Sequence, residues 1–207
     1  MEVKNFEWDR QLFHIFLGMA LVVLLMYGFI GKDFALFNIK IIYADILSLI
    51  IVGIALSFLS RKVKLPIIYA LLQKFERSQD MKRFPGKGII FYFIGVYISL
   101  LLFPKDIAMA SIMVLALGDS VSHMFGLHFG RTKHHLSKTK FLEGTIAGFA
   151  AGFIGALVFA KPLEAFLASL AAMTAEAISI KIGTKQVDDN LTVPLVAGSA
   201  IWLVRLL

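Results

Sequence analysis

The stretch IAMASIMVLALGDSVSHMFGLHF, residues 107–129, decides how this chain folds. A helix needs roughly 20 apolar residues to cross the hydrocarbon core of a bilayer. This stretch supplies them with one charged side chain, Asp119. The same texture recurs on either side. Apolar blocks at 11–30, 41–59, 88–103, 144–160, 163–180 and 191–204 alternate with short charged segments. Of the 207 residues, 58% are hydrophobic, against about 45–50% apolar in a soluble domain. The pattern predicts an all-α, polytopic membrane helix bundle of about seven transmembrane helices, built as a single domain over 1–207. Several blocks are short, and the last leaves open a helix that enters only half of the membrane.

Residues 1–10 carry Glu2, Glu7 and Asp9. No small-residue cleavage site follows the first apolar block, so it reads as a retained helix rather than a signal peptide. The chain has no cysteine, which removes disulfides, Cys-ligated zinc and a thiol nucleophile. A net charge of +7 reports topology and anionic headgroups in a membrane protein, and no nucleic acid is expected as a partner. With seven spans, the N-terminus and the loops at 60–87, 130–143 and 181–190 share one side. That side holds most of the 21 lysines and arginines. The positive-inside rule then puts it, with the N-terminus, in the cytoplasm. Within the basic segment 60–87, Leu65, Ile68, Tyr69, Leu72 and Phe75 fall at helical spacing. That fits an amphipathic helix lying on the membrane surface, or a basic loop that only holds topology.

A carboxylate inside a membrane helix is costly, so it usually faces the bundle interior and has a partner. Asp119 shares a helical face with His123, Gly126 and Gly130. Such a face lets a phosphate chain or a metal ion come close. A structural polar patch against a neighbouring helix is the alternative. Next in the chain, Arg131, Lys133, Lys138 and Lys140 concentrate positive charge. Arginine grips phosphate through paired hydrogen bonds and lysine adds point charge, although alone such a loop reads as a topology signal. Glu143-Gly144 opens the following helix, whose first amides suit an anion. Glu176 is a second carboxylate within a span, and Asp45 lies near the outer end of another. Asp188, Asp189 and Asn190 make a run of hard oxygen ligands suited to Mg²⁺, and equally a turn and helix cap. His14 sits near the inner end of the first span. His134 and His135 do not share a face and read as loop residues. Gly144, Gly148, Gly152 and Gly155 form a close-packing face. No P-loop and no protein-kinase signature occurs.

Together these motifs resemble the CTP-dependent lipid-alcohol kinases: dolichol kinase, phytol kinase and yeast-type diacylglycerol kinase. The matching pieces are Arg10-x-x-x-His14-x-x-x-Gly18, Gly118-Asp119 through Gly126, Gly130 and Arg131, then Lys138-x-Lys140-x-x-Glu143-Gly144, and Asp188-Asp189-Asn190-Leu191-Thr192-x-Pro194. They run from Arg10 to about Val204. The last is the most specific, because membrane cytidylyltransferases share a pattern like the Gly-Asp to Glu-Gly region. Gln11 departs from the lysine frequent in the family. The resemblance implies CTP as phosphate donor, Mg²⁺ or another divalent cation, and a membrane-dissolved alcohol as acceptor, with dolichol or polyprenol expected ahead of phytol, geranylgeraniol and diacylglycerol. The site it carries over comprises Asp119, Gly126, Gly130, Arg131, Lys138, Lys140, Glu143, Asp188, Asp189 and Asn190, with nucleotide contacts at Gly126, Gly130, Arg131, Lys138, Lys140 and Asn190 and metal contacts at Asp119, Asp188 and Asp189. Gly144, at the helix start, joins the expected nucleotide contacts, and the catalytic residues expected to take the hydroxyl proton are Asp119 or Glu143, or else His14. The site is expected to face the cytoplasm from a cell membrane or an endoplasmic-reticulum-type membrane. Two other readings stay open: a cytidylyltransferase that makes a CDP-lipid, and a small ion-coupled transporter using Asp119 and Glu176.

Overall fold

The computed structural model describes residues 2–36, 39–63, 66–76, 80–81, 84–134, 137, 140–178, 181–182 and 185–207. The fold is helical: α1 Glu2–Met26, α2 Ala44–Lys62, α3 Pro66–Phe75, α4 Lys87–Leu102, α5 Lys105–Phe129, α6 Leu142–Ala156, α7 Pro162–Ile178 and α8 Asp189–Leu206. Among the described residues, three segments are long and apolar enough to cross a membrane: Phe6–Met26, Ala44–Lys62 and Lys105–Phe129. Lys87–Leu102 and Leu142–Ala156 are apolar but shorter. The last apolar block forms α8, whose 18 residues make it about 27 Å long at 1.5 Å per residue. Side chains such as Phe16, Ile51, Phe58, Ile154 and Leu203 point outward, as befits helices whose solvent is lipid.

Two short antiparallel hairpins sit in the connections, one pairing Phe34–Leu36 with Ile39–Ile41 and one pairing Lys181–Ile182 with Lys185–Gln186. An apolar pattern carries no signal for either. The first displaces the start of α2 to Ala44, after Tyr43 in a left-handed conformation. In the basic segment 60–87, α3 forms. Its Phe75 ring stacks on Phe13 of α1 at 4.6 Å and Leu72 is buried, which favours the amphipathic helix over a bare loop.

The centre of the bundle is α5: 78% of its apolar window is buried, against 17% for α2. Helices α1, α6, α7 and α8 all contact it. Midway, over Val114–Asp119, α5 widens into a π-helical turn, a distortion common at functional sites. Glycines let α6 lie directly on this turn. A Cβ at Gly148 would stand 2.6 Å from both the Gly118 carbonyl oxygen and the Ser122 Cβ. At the far end of the bundle, Arg205 of α8 pairs with Asp106 of α5 at 2.6 Å and with buried Glu164 of α7 at 3.0 Å. This clamp fixes the helix ends opposite the site.

In α8, Pro194 has no N–H for the carbonyl of Asn190, so the helix is open there. Gly95 of α4 packs against that carbonyl, leaving no room for a Cβ. The proline and the glycine together bring α4 onto the first turns of α8.

Gly148→Ala forces a methyl group onto backbone atoms that cannot move aside. We expect it to cost about 1–3 kcal/mol, read as a lowered unfolding midpoint in detergent. Gly53→Ala, which would meet only the Ile90 side chain at 3.3 Å, is expected to cost far less. Equal midpoints would refute the α5–α6 contact.

Candidate active site

Three helices bring carboxylates to one point. The widened turn of α5 ends at Asp119, α7 presents Glu176 near its last turn, and Asp189 opens α8. One oxygen from each lies within 4.8 Å of the others. Such a group repels itself unless a cation stands among it. Lys140 supplies one from the loop before α6. Its ammonium is hydrogen-bonded to Glu176 and lies 3.6 Å from Asp189. Burial disfavours that charge, but Glu176, Asp119 and Asp189 outweigh burial and hold the lysine above its ordinary pKa. The second oxygen of Glu176 is fully buried with no hydrogen-bond partner among the described residues.

The cluster forms the floor of a cavity of about 370 Å³. Cations from distant parts of the chain join it: Arg10 from α1 and Lys87 from α4 line the same cavity. His14 also lines it, packed edge-on against buried Tyr92, with ring centroids 5.3 Å apart. Asp188 caps α8, accepting from the Asn190 backbone and side-chain N–H groups at 3.2 and 2.9 Å, and its other oxygen meets Lys87 at 3.2 Å. The Asp-Asp-Asn run thus does two jobs: Asp188 and Asn190 shape the helix start, and Asp189 faces the carboxylate group.

Among the residues expected from sequence, the structure gathers His14, Asp119, Lys140, Asp188, Asp189 and Asn190 around one cavity. Gly126, Gly130, Arg131, Glu143 and Gly144 are not among its described lining residues. Gly126, Gly130 and Gly144 instead sit where α5 meets α6 and Phe141, too tightly for side chains at Gly130 and Gly144. The Glu143 carboxylate accepts the Thr132 backbone N–H at 3.0 Å and so closes the loop. Lys138 lies outside the described residues. Gln11, Glu76, Asp80, Lys87 and Glu176 are the additions. A buried charge marks Glu176 in the sequence. The others have no such mark, because only the fold makes them neighbours.

Hard oxygen donors in this arrangement fit a small divalent cation, and the unsatisfied Glu176 oxygen suits the same ligand. With Arg10, Lys87 and Lys140 around the acids, the cavity sets cationic side chains beside hard oxygen donors.

Comparison with known proteins points the same way. An uncharacterised protein of Methanocaldococcus jannaschii is 30% identical over 94% of this chain and 92% of its own length. A CTP-dependent diacylglycerol kinase of Schizosaccharomyces pombe is 29% identical over 56% of this chain and 60% of its own. A chloroplastic phytol kinase of Arabidopsis thaliana is 29% identical over 56% of this chain and 43% of its own. No family model and no solved structure matches.

At the cavity rim, burial first, then the nearby Asp80 carboxylate, pushes Glu76 from its ordinary 4.5 up to about 7, against the pull of the Gly88 N–H, Arg10 and Lys87. The folded state therefore favours the neutral acid. Its contribution to stability is full below the ordinary value and is lost as pH rises through about 7. The unfolding midpoint of the wild type should thus fall between pH 5 and pH 7.5 by more than that of Glu76→Gln. Parallel curves for the two proteins would refute this.

Proposed function

Because the chain belongs to the family of CTP-dependent lipid kinases, we propose that its cavity transfers the γ-phosphoryl group of CTP to the hydroxyl of a long-chain isoprenoid alcohol, of the dolichol or polyprenol type, with release of CDP. The observation that carries this reading is the meeting of Asp119, Glu176 and Asp189 with Lys140 in one cavity. It supports a single metal–nucleotide site; one domain over residues 1–207, open to the cytoplasm, is the organisation that the distribution of basic residues favours.

Phosphoryl transfer depends mainly on positioning and on neutralising charge. In our reading, Arg10, Lys87 and Lys140 hold the phosphate oxygens. Asp119, Glu176 and Asp189 are the residues that would hold Mg²⁺. A bound divalent cation would supply further neutralisation of the charge on the β- and γ-phosphates. The acceptor oxygen attacks the γ-phosphorus in line, and the bond to the β-phosphate oxygen breaks. The hydroxyl proton passes to Asp119 or His14, both of which line the cavity and suit general-base work.

An apolar neighbour favours a lipid acceptor. A cavity of about 150 Å³ lined by Gly53, Leu56, Leu72, Gly86, Ile89 and Ile90 is bordered by residues next in the chain to Lys87 and Gly88 of the acidic cavity, and its apolar walls suit the acceptor's first carbons.

The test uses purified protein in lipid nanodiscs with CTP labelled at the γ-phosphate and a panel of dolichol, polyprenol, phytol, farnesol and diacylglycerol. Label should enter a lipid, most rapidly dolichol or polyprenol. Label released as pyrophosphate would establish nucleotidyl transfer instead. Asp119→Asn should lower turnover by about 10²–10⁴-fold without changing the amount of folded protein. Full activity in that variant would remove Asp119 from the chemistry.

A further inference from the structure

Beside the phosphate cavity lies a second, smaller one of about 220 Å³. Trp8 and Gln11 of α1 and His123, Met124, Leu127 and His128 of α5 line it, with Glu7 at its edge. Gln11 and His123 line both cavities, so the two adjoin across these side chains. The geometry points to this second cavity as the seat of the cytosine ring, with the triphosphate reaching past Gln11 and His123 to the acidic cluster. This inference rests on the CTP-dependent reading above.

Size comes first. An apolar cavity of about 150 Å³ is enough to admit benzene. One of about 220 Å³ takes a single six-membered ring with its exocyclic groups, and the fused rings of a purine overfill it.

The walls are suited to a flat ring. The Trp8 indole N–H donates to His128 Nε2 at 2.7 Å, and His128 Nδ1 lies 3.0 Å from the Met124 carbonyl oxygen. A ring with its proton on Nδ1 satisfies both bonds. The two aromatic rings meet edge to face, 5.1 Å apart and inclined at 70°. Their positions are therefore set before a ligand arrives, and a base stacks on such surfaces.

Polar groups choose among pyrimidines. Gln11 is 2% exposed, and its side-chain oxygen has no hydrogen-bond partner among the described residues. The Glu7 carboxylate, gripped by Arg10 at 2.8 and 3.1 Å, is a second acceptor on the same wall. Cytosine offers an exocyclic amine to these acceptors. Uracil has a carbonyl oxygen at that position. Turning the Gln11 amide around would accommodate uracil at one atom, but Glu7 has no donor to turn. A lipid chain would leave the Gln11 oxygen buried and unpaired, which is why a nucleobase fits this cavity better than the acceptor's tail.

The test is equilibrium binding of CTP, UTP, ATP and inorganic triphosphate to the full-length protein in nanodiscs, with no acceptor present. The wild type should bind CTP at least about tenfold more tightly than UTP. Gln11→Leu should cut that ratio by about tenfold, a readout that stays specific to the base although Gln11 also borders the phosphate cavity. Met124→Ala should strengthen ATP binding several-fold by enlarging the cavity, a gain that misfolding cannot produce. An unchanged CTP-to-UTP ratio in Gln11→Leu, with a raised KM for the lipid alcohol, would overturn the assignment and give the cavity to the acceptor. The two readings fail separately. Base selectivity that depends on Gln11, without transfer of the γ-phosphate to lipid, would sink the kinase and leave the base site standing.

Discussion

Carboxylates from three helices share one point inside a membrane bundle, and the Lys140 ammonium reaches into them. In low dielectric, three such acids together repel strongly, and isolated charges are costly to bury. The arrangement holds only if a cation is delivered from outside the helices. That requirement shapes the loop before α6. The described ends of the loop are paired: Lys133 bridges to Phe141, the His134 N–H donates to the Lys140 carbonyl and the Leu142 N–H to the Thr132 carbonyl. Glu143 ties it down through the Thr132 N–H. A residue that reads from sequence as catalytic thereby fixes the backbone that carries Lys140.

The helices must also come close enough for their acids to meet. Backbone contact replaces side-chain packing at the two places that decide this. Gly144, Gly148 and Gly152 bring α6 onto the widened turn of α5, and Gly95 brings α4 onto the carbonyl left open by Pro194. The ion cluster of Arg205, Asp106 and Glu164 holds the same helices at their opposite ends. Between these anchors α5 and α7 have little freedom to slide, so Asp119 and Glu176 keep their separation. The phosphate transfer proposed above needs that rigidity, since small misplacements of reacting groups are expensive.

Residue type announces the class of chemistry and leaves the geometry open. Asp119 and Glu176 stand out because a charge in an apolar helix must be explained, and the Asp188–Asn190 run stands out as hard ligands beside a helix start. The regular spacing of Asp119, His123, Gly126 and Gly130 suggests one functional face. In the structure His123 lines the cavity, while Gly126 approaches Gly144 instead. The π-helical turn ends at Asp119, so it re-aims Asp119 relative to the earlier part of its helix and leaves the residues after it in regular α-helix. No local pattern forecasts that turn, against which α6 packs through Gly148.

The helical membrane architecture, the approximate positions of the apolar helices, the acids they carry and the family are legible along the chain. Each of these follows from local quantities: apolar run length, isolated charge and short motifs. The meeting of Glu176 with Asp119 and Asp189, the seat of Lys140 among them, and the bordering of the cavity by Arg10, Gln11, Glu76 and Lys87 come from the fold. The reason is physical. Burial and charge type are properties of a residue in its own helix, whereas a site is a set of distances between helices. Those distances follow from how closely glycine-lined faces can pack.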